Sequence, residues 1–486
     1  MTEEKHIIRK LVLELHLPSA DDAFRIQTIA FSFLKENILP IIEKIVEEFV
    51  QKNEVVRIDK LELDFENFIP EQKNEEGLRK FEEHIREKII ELIQKERSEN
   101  FADQTLSQVT KISSQESDEE LFFYLLKNGS RPWWAKTDEP ISLETIAEKA
   151  LQNPSATFKS ELVLALKNQN VRKRIVTKLP FTTVNRILYI VKESPEILIQ
   201  QMNVLAELIE KNIPEQRTLE TLYELVFKFS NINRSHFEFF LSSMLKKYND
   251  LAMVEKMYLA NKTVADLEIA TILKQGIADT NEHFKGEIKK MFVEEDQVYI
   301  HQKSKEIVEE EQEILLPEQT GDYFIKNSGV IILAPYLPQL FNALGLVNGK
   351  SFNDTTSKER AVYLLQYLAI GQTAGFEEHE MILNKILCGF EISEPLTLQF
   401  TITEKEKEEC LNLLQAVADN WQALKGTSGE GMRDAFFMRD GILEQQQNGW
   451  NLKIEKTTID ILLDKLPWGI SIIQMPWMEE LIFVEW

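Results

Sequence analysis

Between Lys465 and Trp486 the chain carries two proline–tryptophan turns, Leu466-Pro467-Trp468-Gly469 and Met475-Pro476-Trp477-Met478, and then Val484-Glu485-Trp486. No other stretch constrains the fold as strongly. Two prolines lock φ beside two large rings, and a third ring stands at the terminal carboxylate. Trp421, Trp450, Trp468, Trp477 and Trp486 are five of the seven tryptophans. The C-terminal region is therefore expected to be a compact, aromatic-rich domain with its last residues tied down. A sugar- or base-stacking platform would use the same rings, but the stretch lacks interleaved basic residues, and core packing is the plainer reading.

A chain of 486 residues that is 43% hydrophobic has length for about three domains with buried cores. Eighty acidic against fifty-six basic residues leave a net charge of −24, which argues against a general binder of nucleic acid or anionic membrane. Cys388 and Cys410 are the only cysteines and form no CxxC, so a reducing compartment, the cytosol, is expected. Met1-Thr2-Glu3-Glu4-Lys5 does not open a secretory signal. Asn327 to Gly349 contains no charged residue and is long enough to cross a bilayer. Pro335, Pro338, Gln339, Asn342 and Gly345 interrupt it, and lipid would not satisfy the broken backbone. A buried strand or turn up to Leu333 and a short helix from about Pro335 fit better.

The pattern predicts a predominantly α fold with small α+β parts, laid out along the chain as follows. Residues 1–99 read as a strand–helix–strand–helix unit. Leu11, Leu13, Leu15 and Leu17 alternate with polar or smaller residues, as do Leu61, Leu63 and Phe65. Ser19 and Asp22 suit a capping box, and Pro40 should end or kink the first helix. Leu78, Phe81, Ile85, Ile89, Leu92 and Ile93 step by three or four along a long final helix. Residues 100–119 are polar and aperiodic, which suits a linker. Residues 120–300 read as helical hairpins separated by Pro154, Pro180, Pro195, Pro214 and Asn231-Ile232-Asn233, without a clean repeat period. Residues 301–320 form an acidic linker. Residues 321–486 form a Trp-rich, mostly helical domain with short strands at Trp450–Glu455 and Leu481–Glu485.

Chemistry is hard to find in the sequence. His6, His16, His84, His236, His283, His301 and His379 show no metal-ligand spacing. Gly426-Thr427-Ser428-Gly429-Glu430-Gly431 is GxSG rather than the GxSxG of a nucleophile elbow, and no strand precedes it. Neither a P-loop nor a dinucleotide turn is present. Asp460 and Asp464 lie one helical turn apart, spaced for acid/base work or a cation, but their surroundings read as an amphipathic helix with a solvated face. Arg433 and Arg439 flank Phe436 and Phe437. They suit an acidic partner, or more plainly internal salt bridges. No catalytic, cofactor or metal site is expected.

Several segments together resemble the contractile injection system tape measure family, proteins of phage-tail-like particles. His6-Ile7-Ile8-Arg9 with Leu13-Glu14-Leu15 resembles the opening strand and Ile58-Asp59-Lys60-Leu61-Glu62-Leu63-Asp64 the second. Gly129-Ser130-Arg131-Pro132-Trp133-Trp134 is similar to a proline–tryptophan motif. The C-terminal third carries most of the likeness. It runs from Gly329-Val330-Ile331-Ile332-Leu333-Ala334-Pro335-Tyr336-Leu337-Pro338 through Arg360-Ala361-Val362 and Leu383-Asn384-Lys385-Ile386-Leu387-Cys388-Gly389 to Arg433-Asp434-Ala435-Phe436-Phe437-Met438-Arg439-Asp440-Gly441 and the two Pro-Trp turns. The resemblance implies a structural protein without catalytic residues that sets tube and sheath length. Its implied partners are tube, baseplate or terminator proteins, and homo-oligomerisation is left open. A fully helical chain of this length would span about 730 Å, enough for a ruler. Prolines through the middle and the lack of sustained heptads suit instead a compact assembly chaperone or adaptor. A helical interaction protein unrelated to any particle, or a degenerate enzyme or glycan-binding module built on the Trp-rich domain, are the readings outside the family.

Overall fold

The computed structural model describes residues 7–8, 11–16, 23–49, 54–58, 60–63, 75–99, 109–135, 141–191, 227, 322–398 and 400–486. These fall into two compact units, one from Met1–Leu121 and Trp133–Pro140, the other from Phe122–Pro132 and Ile141–Trp486. The fold is mostly helical with small β parts, in line with the sequence pattern.

In the first unit α1 (Ala23–Phe33) runs through a π-helical turn, Leu34–Ile38, into α2 (Leu39–Phe49). Pro40 explains the turn. It has no N–H for the usual i−4 acceptor and its ring crowds that carbonyl, so the ladder widens and the Leu39 N–H bonds back to the Leu34 carbonyl. The proline thus widens the helix without ending it. α3 (Glu75–Glu99) packs on α2 through Ile85 and Ile89 against Ile38 and Ile45.

The sheet of this unit is not the expected one. Leu11, Leu13 and Leu15 form no strand, nor do Leu61 and Leu63; Leu17, Phe65 and the Ser19/Asp22 cap lie outside the described residues. Instead β1 (Glu54–Ile58) pairs antiparallel with β2 (Val109–Ser113), from within the polar stretch read as a linker. Alternation marks a face, but a strand also needs a partner edge, and Leu11, Val12 and Leu13 are exposed. Arg57 of β1 pairs with Glu120 and lies 4.4 Å from the centre of the Trp134 ring.

The second unit begins with the part of α4 (Ser114–Asn128) from Phe122 onward, followed by α5 (Leu143–Ala150), α6 (Phe158–Ala165), α7 (Gln169–Lys178) and α8 (Phe181–Val191). Pro180 stands between α7 and α8, as expected of a breaker. Pro195, Pro214, Asn231 and the acidic stretch 301–320 lie outside the described residues.

Residues 322–486 build a body around a five-stranded sheet. Its strands are β3 (Tyr323–Ile325), β6 (Gly441–Gln446), β7 (Gly449–Ile454), β9 (Leu481–Glu485) and β8 (Ile472–Ile473), in that spatial order. β4 (Val347–Asn348) and β5 (Ser351–Phe352) form a separate short hairpin. The expected strands at Trp450–Glu455 and Leu481–Glu485 are β7 and β9, paired parallel from Gly449↔Leu481 to Lys453↔Glu485. The helices are α9 (Leu337–Ala343), α10 (Thr355–Ile370), α11 (Ile382–Leu387), α12 (Glu404–Asn420) and α13 (Gly429–Phe436).

The uncharged run from Asn327 is a buried 3-10 helix, Ser328–Tyr336, leading into α9 with Pro338 in its first turn. Val330, Ile331, Ile332 and Leu333 are completely buried in the body's core, which explains the absence of charge. Among the described residues, no helix is long and apolar enough to cross a membrane.

Candidate functional site

The segments that are scattered along the sequence meet in the body. The first contact needs a glycine: a Cβ on Gly329 would overlap the Phe436 carbonyl and approach Phe437 Cα to 2.9 Å. The Gly329 N–H donates to the Phe437 carbonyl, and the Ser328 hydroxyl donates to the Arg439 carbonyl at 2.6 Å. The tryptophans then bind the strips together through their indole N–H groups. Trp468 donates to the Ile332 carbonyl at 3.1 Å, Trp477 to the Leu387 carbonyl at 2.8 Å and Trp421 to the Leu462 carbonyl at 3.2 Å. Trp486 donates to Asp460 Oδ2 at 3.1 Å.

Gly389, at φ +71°, sits against the Trp477 carbonyl, a conformation and a closeness that a side chain would oppose. Trp421 lies between Phe436, 4.8 Å away centre to centre, and Trp468, in edge contact, while Trp468 stands nearly perpendicular to Tyr336. Pro335, Pro467 and Pro476 are exposed beside these rings, which fits prolines that steer the chain at the surface. Trp421 and Trp450 are buried in the core, and Trp468, Trp477 and Trp486 pack against it half-buried.

The two arginines have internal partners. Arg439 pairs with Asp460 at 3.3 Å and donates to the Ala435 carbonyl, and Arg433 contacts Glu430 and Asp434, both at 3.3 Å. Asp460 is thus more than a solvated helix residue. It accepts from Arg439 and Trp486 and from the Thr457 N–H, capping the 3-10 helix Thr458–Lys465. Asp464 is exposed and has no part in this. Ser428 of the glycine-rich loop caps α13 by accepting from the Gly431 N–H.

The densest charge cluster was not legible beforehand. Glu378 lies on a 3-10 turn between α10 and α11 and is buried against two cations. Arg174 from α7 grips it at 3.0 Å through Nη2 with Nε also in range, and Lys385 from α11 donates to it at 2.5 Å. Backbone carbonyls take up the remaining protons: Leu126, Lys127 and Ser393 for Arg174, and Ile392 and Glu394 for Lys385. Gly129, at φ +63°, makes room, since a Cβ there would stand 2.5 Å from Glu378 Oε1. The first glycine of the Gly129–Trp134 motif therefore belongs to this cluster, while Pro132 behind it is buried.

Burial alone would push the Glu378 carboxyl up, but the Arg174 and Lys385 charges outweigh it and hold the group at about 2. Burial brings Lys385 down to about 8, so it is still an ammonium at neutral pH. These charges are paired and enclosed, with no water-facing base or nucleophile among them. Burial pushes both thiols up, Cys388 the further and Cys410 to about 12. Among the described residues, no three His, Cys, Asp or Glu side chains are grouped to hold a metal.

His379, next to Glu378, gives a prediction about acid. Burial, helped by the Arg131 charge, lowers it to about 4. The unfolded chain protonates near 6.5, so between pH 6.5 and 4 the unfolded state binds the extra proton and stability falls as pH drops. Glu377 and Glu380, raised mainly by burial, oppose this, as the folded state takes up their protons first. The comparison that isolates the histidine is with His379→Gln. From pH 7 to 4.5 the variant should lose about 2–3 kcal/mol less than the parent in urea denaturation. Equal losses would refute the assignment.

Aromatic staples, glycine contacts and a buried ion cluster tie the scattered motif segments into one folded body. The sequence profile described as contractile injection system tape measure protein matches residues 5–486. The chain belongs to the contractile injection system tape measure protein family, which is structural and not catalytic. No curated protein and no solved structure matches it.

Proposed function

We propose that the chain acts without catalysis during assembly of a contractile particle, where it takes part in setting tube and sheath length while residues 322–486 stay folded. The family match over residues 5–486 carries this reading. Support for the folded state comes from the depth of the core. Trp421, Phe341, Phe436, Phe437 and Lys385 are fully enclosed, and stretching the body along a tube would expose them at about 25 cal/mol for each Å² of apolar surface. The reach of the ruler then has to come from other parts of the chain. The partners in this reading are tube, baseplate or terminator proteins, met in the cytoplasm, with no nucleic acid and no membrane insertion.

A second reading, a compact chaperone or adaptor that measures nothing, is favoured by one observation. The longest helix among the described residues, α3, has 25 residues, about 37 Å. Electron microscopy of particles whose chain lacks residues 240–299 separates the two. A ruler gives uniformly shorter particles, by about 90 Å if the segment is helical. Particles of normal length, or no particles, would reject length setting in favour of the adaptor.

A further inference from the structure

Among the described residues of the second unit, the buried apolar cluster of residues 323–486 takes no side chain from α5 to α8. Among the described residues, every core side chain and every apolar side chain packed on it lies in that range. The helices that precede it in sequence have apolar contacts of their own, such as Phe158 against Phe122 and Phe123. The contacts that join the two parts are of another kind. Arg174 of α7 binds Glu378 and, at 2.5 Å, the Ser393 carbonyl. Asn170 donates to the same carbonyl at 3.2 Å, Lys178 donates to the Tyr363 hydroxyl at 3.0 Å, and the Leu143 N–H reaches Glu377 at 3.5 Å.

The cluster is also asymmetric. Glu378 and Lys385 both belong to the body and pair at 2.5 Å, so the body keeps its own ion pair whether or not Arg174 is in place. Arg174 in turn keeps the Leu126 and Lys127 carbonyls on its own side. Each side is therefore provided with partners for the state in which the other is gone. Polar contacts of this sort exchange for contacts with water when they open, whereas an apolar interface would not.

We propose that this boundary is a joint: α5 to α8 leave the surface of the body and return to it as a folded piece, with Arg174 as the catch. The joint rests on the chain's own contacts and not on how particle length is set. It gives an assembly protein a second arrangement without unfolding either part.

The test is a distance measurement on the full chain. Nitroxide labels go on cysteines introduced at Lys159 and Lys456, both exposed, while Cys388 and Cys410 are completely buried and stay unlabelled. Arg174→Met is expected to raise the share of a longer-distance population at least tenfold over the parent, with far-UV circular dichroism and tryptophan fluorescence unchanged. Lys178→Met, which removes the bond to Tyr363 and a more distant positive charge near Glu378, should act in the same direction and more weakly. An unchanged distance distribution in both variants overturns the proposal. So does loss of helicity or of the tryptophan signal in both, since the two parts would then fold as one block.

Discussion

Glu378→Gln is expected to lower the stability of the C-terminal body by about 3–5 kcal/mol, read as a fall in the urea midpoint of its tryptophan fluorescence. The amide keeps the shape of the side chain but removes its charge. Arg174 and Lys385, with side chains 1% and 0% exposed, are then left as buried cations facing each other. The effect should depend on partial removal. Glu378→Gln combined with Arg174→Met and Lys385→Met exchanges the whole cluster for apolar and neutral groups, and should come within about 1–2 kcal/mol of the parent, because the desolvation of all three charges is avoided together. A single variant as stable as the parent would mean that the cluster is hydrated and not sealed.

Trp421→Ala should remove about 3–5 kcal/mol by opening a cavity at the centre of the body. The ring is completely buried between Phe436 and Trp468, so its loss is felt on two sides, and the Leu462 carbonyl loses its donor. Trp421→Phe fills most of the space and should cost about 1–2 kcal/mol, the share of the unmet carbonyl and the smaller ring. Circular dichroism in urea gives both values, and an alanine variant within 1 kcal/mol of the parent would show that the aromatic cluster collapses to fill the gap.

The parts of this fold that the sequence revealed are those whose signal is local. β7 and β9 were legible because Trp450–Glu455 and Leu481–Glu485 combine β-favouring residues with neighbouring breakers. α3 was legible from its apolar spacing, and the buried 3-10 helix from a run that no charge interrupts. What failed depended on partners. Leu11–Leu15 alternates as well as any strand and forms none, whereas Val109–Ser113, a stretch with little apolar content, pairs with Glu54–Ile58. The ion cluster draws Arg174, Glu378 and Lys385 from distant positions, and a charged residue in a helix looks the same in sequence whether it faces water or another charge. Gly129 stands in the sequence only as the first residue of a proline–tryptophan motif, and no sequence rule says that its missing Cβ makes room for a salt bridge. Asp460 looks solvated in the sequence because Arg439 and Trp486, which donate to it along with the adjacent Thr457 hydroxyl, come from distant positions.

The order of strands in the body's sheet also bears on how quickly it can form. Ile325 pairs with Gly441, and the parallel match of β7 with β9 has to wait for the segment between them, with both Pro-Trp turns, to settle. Closing such long loops before any pairing rewards them makes folding slow. α10 and α12, built from local contacts, are therefore expected to form before the sheet closes.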